Sequence, residues 1–132
     1  MTGQVPAPSI LLVEDDEAFR RVLARALVAR GYDTVVAESP DEAVWHVLAR
    51  APDFAIVDLR MPGGSGLALI ADIKRIRPTT AVIVLTGDRS DESVAEAIRR
   101  GASSYLTKPI DADEIVSALR AIAGISGGGA RP

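Results

Sequence analysis

Five side chains, scattered over almost a hundred residues, could together handle a phosphoryl group. "LLVEDDE" (11–17) drives an apolar run into four consecutive acids, Glu14, Asp15, Asp16 and Glu17, with no base until Arg20. "FAIVD" (54–58) ends on Asp58, "AVIVLT" (81–86) ends on Thr86, and "SYLT" (104–107) runs into Lys108 and Pro109. Carboxylates gathered at low dielectric repel by several kcal/mol unless a cation joins them or some protonate. Hard oxygen donors without His or Cys favour Mg²⁺ over zinc or copper. Two carboxylates, Glu14 and Asp15, suffice to hold such an ion with open positions left for phosphate. A carboxylate in that setting can itself be the nucleophile, giving an aspartyl phosphate, and Asp58 stands alone at the end of a central strand. Lys108 and the ion would then balance the phosphoryl charge. Taken singly, each group also has an ordinary reading as a solvated or turn residue.

These residues need elements that bring them together. "SILLV" (9–13), "TVVA" (34–37), "FAIVD", "AVIVLT" and "SYLT" are short and apolar, as strands buried on both faces should be. Between them lie helical periods. The first, "EAFRRVLARALVARG", places Phe19, Val22, Leu23, Ala26 and Leu27 at helical spacing and Gly31 at its end. Asp16 and Glu17 suit its first turn. The second opens with Ser39 as N-cap, Pro40 at the first position and Glu42 closing a capping box. A third is expected from about Ser65 to Ile76, before Pro78, and a fourth from near Ser90 to Gly101. The fifth opens on the Asp111/Glu114 capping-box pattern. Strand and helix alternate five times, which implies an α/β doubly wound parallel sheet with right-handed crossovers and ligands at the carboxyl ends of the strands. Strand one delivers Glu14 and Asp15 to that rim, strand three Asp58, strand four Thr86 and strand five Lys108. Strand two brings only Glu38 and Ser39, which belong to a helix cap.

Composition sets the outer limits. The chain has 132 residues, 48% hydrophobic and 25% charged, with a net charge of −3 and no cysteine. That suits one domain, excludes disulfides and thiol catalysis, and argues against direct nucleic-acid binding by this chain. No apolar run reaches the length of a membrane span, and "MTGQVPAPS" lacks a signal peptide's parts, so no membrane association and a cytoplasmic location are expected. Residues 1–8 read as a flexible tail, 9–123 as the domain and 124–132 as a glycine-rich tail or linker stub.

"ILLVEDD", "DFAIVDLRMPGGSGL", "VIVLTGD" and "GASSYLTKPI", in this order from about Ser9 to Ala123, resemble the receiver domains of two-component response regulators. The resemblance implies a flavodoxin-like receiver fold with strand order 2-1-3-4-5. It implies that Asp58 accepts phosphate from a sensor histidine kinase or phosphotransfer protein. Mg²⁺ would be held by Glu14, Asp15, Asp58 and the backbone carbonyl of Arg60. Thr86 and Lys108 would contact phosphoryl oxygens, and Tyr105 would be the switch aromatic. The surface of the fourth helix, fifth strand and fifth helix would bind a downstream partner or form a homodimer, and the Lys108–Pro109 peptide would be cis. Such a domain is a switch that assists only its own phosphorylation and dephosphorylation, not an enzyme in the usual sense. Arg60 and Asp88 occupy the family's positions that tune phosphoryl lifetime. Their opposite charges suggest a pair across the entrance, against the plainer reading that both are solvated.

"VEDDEAFRRVLARAL" is also similar to receivers of redox-responding regulators that carry a helix-turn-helix, a module not expected within these 132 residues. The chain is therefore expected to be a stand-alone receiver or the receiver part of a longer transcriptional regulator. The alternative is a degenerate receiver that works unphosphorylated as a protein-interaction domain. Two other classes fit worse. A haloacid-dehalogenase-like phosphatase wants an acid where Arg60 stands, and a nucleotide- or flavin-binding module wants a glycine-rich loop where the acids stand. Arg20, Arg21 and Arg25 read as a solvated face of the first helix or as a kinase-docking surface. Gly63, Gly64 and Gly66 read as backbone devices. Trp45 is expected to be a partly buried packing residue and His46 a surface residue.

Overall fold

The computed structural model describes residues 7–61, 64–87 and 92–126. Five strands form one parallel sheet: β1 Ser9–Val13, β2 Asp33–Ala37, β3 Phe54–Asp58, β4 Ala81–Thr86 and β5 Ser104–Thr107. Their order is 2-1-3-4-5, as expected. A separate two-residue antiparallel ladder pairs Arg60–Met61 with Gly64–Ser65 just after β3. Five helices connect the strands: α1 Glu17–Ala29, α2 Pro40–Arg50, α3 Gly66–Ile76, α4 Glu92–Arg99 and α5 Ala112–Ser126.

The unbroken apolar runs follow from cover on both faces. Alternate residues of the inner strands point to opposite sides, and the core divides accordingly. Leu11, Val13, Ala55, Val57, Val82 and Val84 pack with Ala43 and Val47 of α2, Leu69, Ile70 and Ile73 of α3, and Val94 and Ala97 of α4. Ile10, Leu12, Phe54, Ile56, Ile83 and Leu85 pack with Leu23 and Leu27 of α1 and Ile115, Val116 and Leu119 of α5. A one-residue register slip in β3 would exchange the two sets.

The caps lie near their expected places. Asp16 Oδ1 accepts from Phe19 N at 3.0 Å, and Gly31, at φ +94°, lets the chain leave α1. Ser39 Oγ accepts from Glu42 N, while Glu42 Oε1 reaches back to Glu38 N at 2.7 Å. At α5 the box is reciprocal: Glu114 N donates to Asp111 Oδ1, and Asp111 N to Glu114 Oε1. Helix α3 begins at Gly66, next to the expected start. The cap expected near Ser90 lies outside the described residues. Helix α5 runs on to Ser126, because Gly124 costs a helix about 1 kcal/mol without ending it. Trp45 is not partly buried but 61% exposed on the outer face of α2. His46 is half-buried, edge-on to the Trp45 ring, with a buried Nδ1 that has no partner among the described residues.

Candidate functional site

The carboxyl ends of β1, β3, β4 and β5 bring the expected groups to one rim. Glu14 follows β1 and is 1% exposed, Asp58 closes β3 at 6%, and Thr86 closes β4 at 1%. Asp58 is in register with Leu85, and Thr86 with Thr107, so Asp58, Thr86 and the residue after Thr107 stand on adjacent strands. The Lys108 N–H donates to Thr86 O at 2.8 Å, which extends this pairing one step beyond β5. The Lys108–Pro109 peptide is cis, as expected.

At the centre of the rim is a two-to-one charge arrangement. Lys108 Nζ donates to Glu14 Oε1 at 3.1 Å and to Asp58 Oδ2 at 3.2 Å. Asp15 is exposed beside them. One oxygen from each of Glu14, Asp15 and Asp58 can be chosen so that all three lie within 4.8 Å of one another. Such a donor set, all hard oxygen and still two negative charges in excess of the Lys108 ammonium, fits a small divalent cation. Burial is the first reason that Glu14 is pushed up to about 6, followed by the neighbouring Asp58 charge; the Asp16 N–H and Lys108 pull the other way. Burial opposes the charge on Lys108, yet the hydrogen bond to Glu14 and the Asp58 charge hold it above its ordinary range.

Backbone groups fix the acids. Asp16 N donates to Glu14 Oε2 at 3.1 Å and Arg60 N to Asp58 Oδ1 at 3.2 Å. Leu59 N bonds Leu85 O at 2.9 Å, which holds the turn after Asp58 against β4. Gly66 closes that turn by close approach: a Cβ there would lie 2.7 Å from Leu59 O and 2.9 Å from Asp58 O. Gly66 is thus a backbone device, and only the fold shows what it must avoid.

Two contacts escaped the sequence reading. Arg20 Nη1 donates to Glu14 O at 2.8 Å, so one of the α1 arginines braces the loop that carries the acids. Lys108 Nζ also sits 5.1 Å from the centroid of the Phe19 ring. No motif marks either, since each joins residues whose approach depends on how α1 is set on the sheet. Tyr105 is half-buried on β5 and packs against the α2–α4 side of the core. Asp88 lies outside the described residues, and the Arg60–Asp88 pairing with it.

The fold and this rim define a doubly wound acidic-rim domain, and comparison with known proteins gives it a family. Residues 10–120 match the response regulator receiver domain, so the chain belongs to that family. It is 46% identical over 114 residues to the acid tolerance regulatory protein ActR of Rhizobium meliloti (strain 1021), covering 86% of this chain and 59% of that protein. It is 42% identical over 113 residues to the photosynthetic apparatus regulatory protein RegA of Rhodobacter capsulatus, covering 86% and 61%. The chain therefore spans less than two thirds of the length of either relative. Among solved structures it is similar to a response regulator protein from Burkholderia pseudomallei with a phosphorylated aspartic acid, calcium ion and citrate. That similarity has 33% identity and a TM-score of 0.79, over 91% of this chain and 75% of that one. Among the described residues, no helix is long and apolar enough to cross a membrane.

Proposed function

We propose that this receiver domain is a phosphorylation switch whose acceptor is Asp58. The observation that carries the reading is the Lys108 ammonium shared between Glu14 and Asp58, with Asp15 completing a three-carboxylate cluster. One Asp58 oxygen would attack the phosphorus of a phosphohistidine on a sensor kinase or phosphotransfer protein. The new O–P bond replaces the P–N bond, and the imidazole departs. Mg²⁺, held by Glu14, Asp15, Asp58 and the Arg60 carbonyl, would neutralise charge on the transferring group. Lys108 would exchange a carboxylate for a phosphoryl oxygen, and Thr86, buried at the end of β4, would contact another. Because Lys108 N is bonded to Thr86 O, movement of either loop pulls on the other. That coupling would reach Tyr105 and the α4-β5-α5 surface, where a downstream partner or second copy would read the change.

The exposed α1 stripe Ala18, Val22, Arg25 and Ala29 repeats at helical spacing and supports docking of a kinase helix there. A cytoplasmic location fits this reading, as does either a stand-alone receiver or the receiver part of a longer transcriptional regulator. The test is intact mass after incubation with acetyl phosphate, with and without Mg²⁺. A gain of one phosphoryl group that needs Mg²⁺ and disappears in Asp58→Asn is the expected result. No gain with any donor overturns the reading in favour of an unphosphorylated interaction domain.

A further inference from the structure

The Lys108 ammonium has two anionic neighbours and one neutral one. Glu14 and Asp58 take hydrogen bonds at 3.1 and 3.2 Å, and the Phe19 ring lies beneath the nitrogen with its centroid 5.1 Å away. Phe19 is well placed to be constant. Its backbone N–H is tied to the Asp16 carboxylate at 3.0 Å, and its helix is anchored by the buried Leu23 and Leu27. With Ile110 it lines two spaces. One is the mouth of the site, about 640 Å³, shared with Asp16, Gly87, Lys108 and Pro109. The other is the groove of about 350 Å³ between α1 and the start of α5.

The two kinds of neighbour behave differently when the site is used. An Asp58 that becomes an acyl phosphate no longer offers the same carboxylate, and a Glu14 that holds a cation no longer offers a free one. The ring face carries a fixed negative quadrupole and changes in neither event. We propose that Phe19 is a positioning residue that keeps the Lys108 ammonium at the rim while its carboxylate partners exchange for a phosphoryl group. This rests on the reading of Asp58 as the acceptor. The plainer account is that Phe19 only seals the α1/α5 side of the core, against which it also packs.

A double-mutant cycle separates the two accounts. Phe19→Leu keeps apolar bulk but removes the ring face, and Phe19→Tyr keeps the face. Lys108→Met removes the ammonium, with Lys108→Gln in reserve should Met not fold. In the Lys108 protein, Phe19→Leu should slow phosphoryl uptake from acetyl phosphate by about two- to fivefold, and Phe19→Tyr should restore most of it. In the Lys108→Met background, Phe19→Leu should cause no further slowing. The urea midpoint of the metal-free protein gives a second cycle that needs neither donor nor ion, and Phe19→Leu should lower it more when Lys108 is present. Equal effects of Phe19→Leu in both backgrounds, or a Phe19→Tyr as slow as Phe19→Leu, overturn the proposal. If the wild-type protein takes up no phosphoryl group, the acceptor reading fails, and the urea cycle still decides the role of Phe19.

Discussion

Two lysines stand at opposite edges of the same sheet. At the amino edge, Lys74 Nζ donates to Pro78 O at 2.8 Å and Thr80 O at 2.7 Å. Thr80 is fully buried, and its hydroxyl donates to Pro52 O at 2.7 Å. The Lys74 stem also fills the space under Gly101, whose φ is +118° and where a Cβ would sit 2.9 Å from Lys74 Cγ. Both of the Lys74 acceptors are neutral carbonyls, and burial pulls this lysine below its ordinary value. At the carboxyl edge, Lys108 faces anions in excess and is held above its ordinary value. The first lysine ties the end of α3, the entry to β4 and the turn before β5 with partners that have no reason to leave. The second balances a charge that it cannot fully neutralise, so a cation can compete for its carboxylate partners and a phosphoryl group for the ammonium itself. Charge imbalance at one edge and neutral saturation at the other distinguish a site from a clamp.

Substitutions can break that contrast, and the largest effect should be all-or-none. Asp58→Asn should abolish phosphoryl uptake, read by intact mass, while leaving the Lys74 cluster untouched. Gly66→Ala comes next. Its Cβ meets backbone oxygens of Leu59 and Asp58, so it should cost roughly 3 kcal/mol in urea denaturation and disturb the turn after Asp58 as well.

A smaller effect is set by pH. Glu14 has an ordinary value of 4.5 and is raised to about 6 in the fold. The folded state therefore holds this proton more tightly. The resulting stability is fully present below 4.5 and is lost as pH rises through 6, a change of about 2 kcal/mol. Urea midpoints of wild type and Glu14→Gln should converge or cross over this window, with the variant lacking that loss; parallel curves would contradict it. Smallest should be Lys74→Met, which leaves two carbonyls without their donor and should cost about 1–2 kcal/mol. Unlike the rim variants, it should leave the rate of phosphoryl uptake unchanged, and a matching fall in that rate would erase the distinction between the two edges.

The carboxyl edge was far more legible than the amino edge. Glu14, Asp15, Asp58, Thr86 and Lys108 each follow directly on an apolar run, and a parallel sheet sends all such positions to one rim. Lys74, Thr80 and Gly101 follow no such rule. They sit at a helix end and in two turns, and nothing in their spacing says that they meet. Trp45 illustrates a second limit. Its size suggested packing, but the inward face of α2 is already filled by Ala43 and Val47, and Trp45 lies on the opposite side of the helix. Periodicity marks a face, and only the neighbours decide which face is covered.

From the sequence alone followed the alternation of strands and helices, the strand order implied by the family resemblance, the capping boxes, and the set of chemical groups carried to one edge. These are local or topological consequences of apolar period, capping chemistry and right-handed crossovers, which need no knowledge of distances. The tertiary structure alone decided that the ammonium of Lys108 falls between Glu14 and Asp58 and over Phe19. It also decided that Arg20 braces the acidic loop and that Gly66 must lack a side chain. Those depend on differences of one or two ångströms between elements far apart in the chain, and such differences are set by how two complete core layers pack against the sheet.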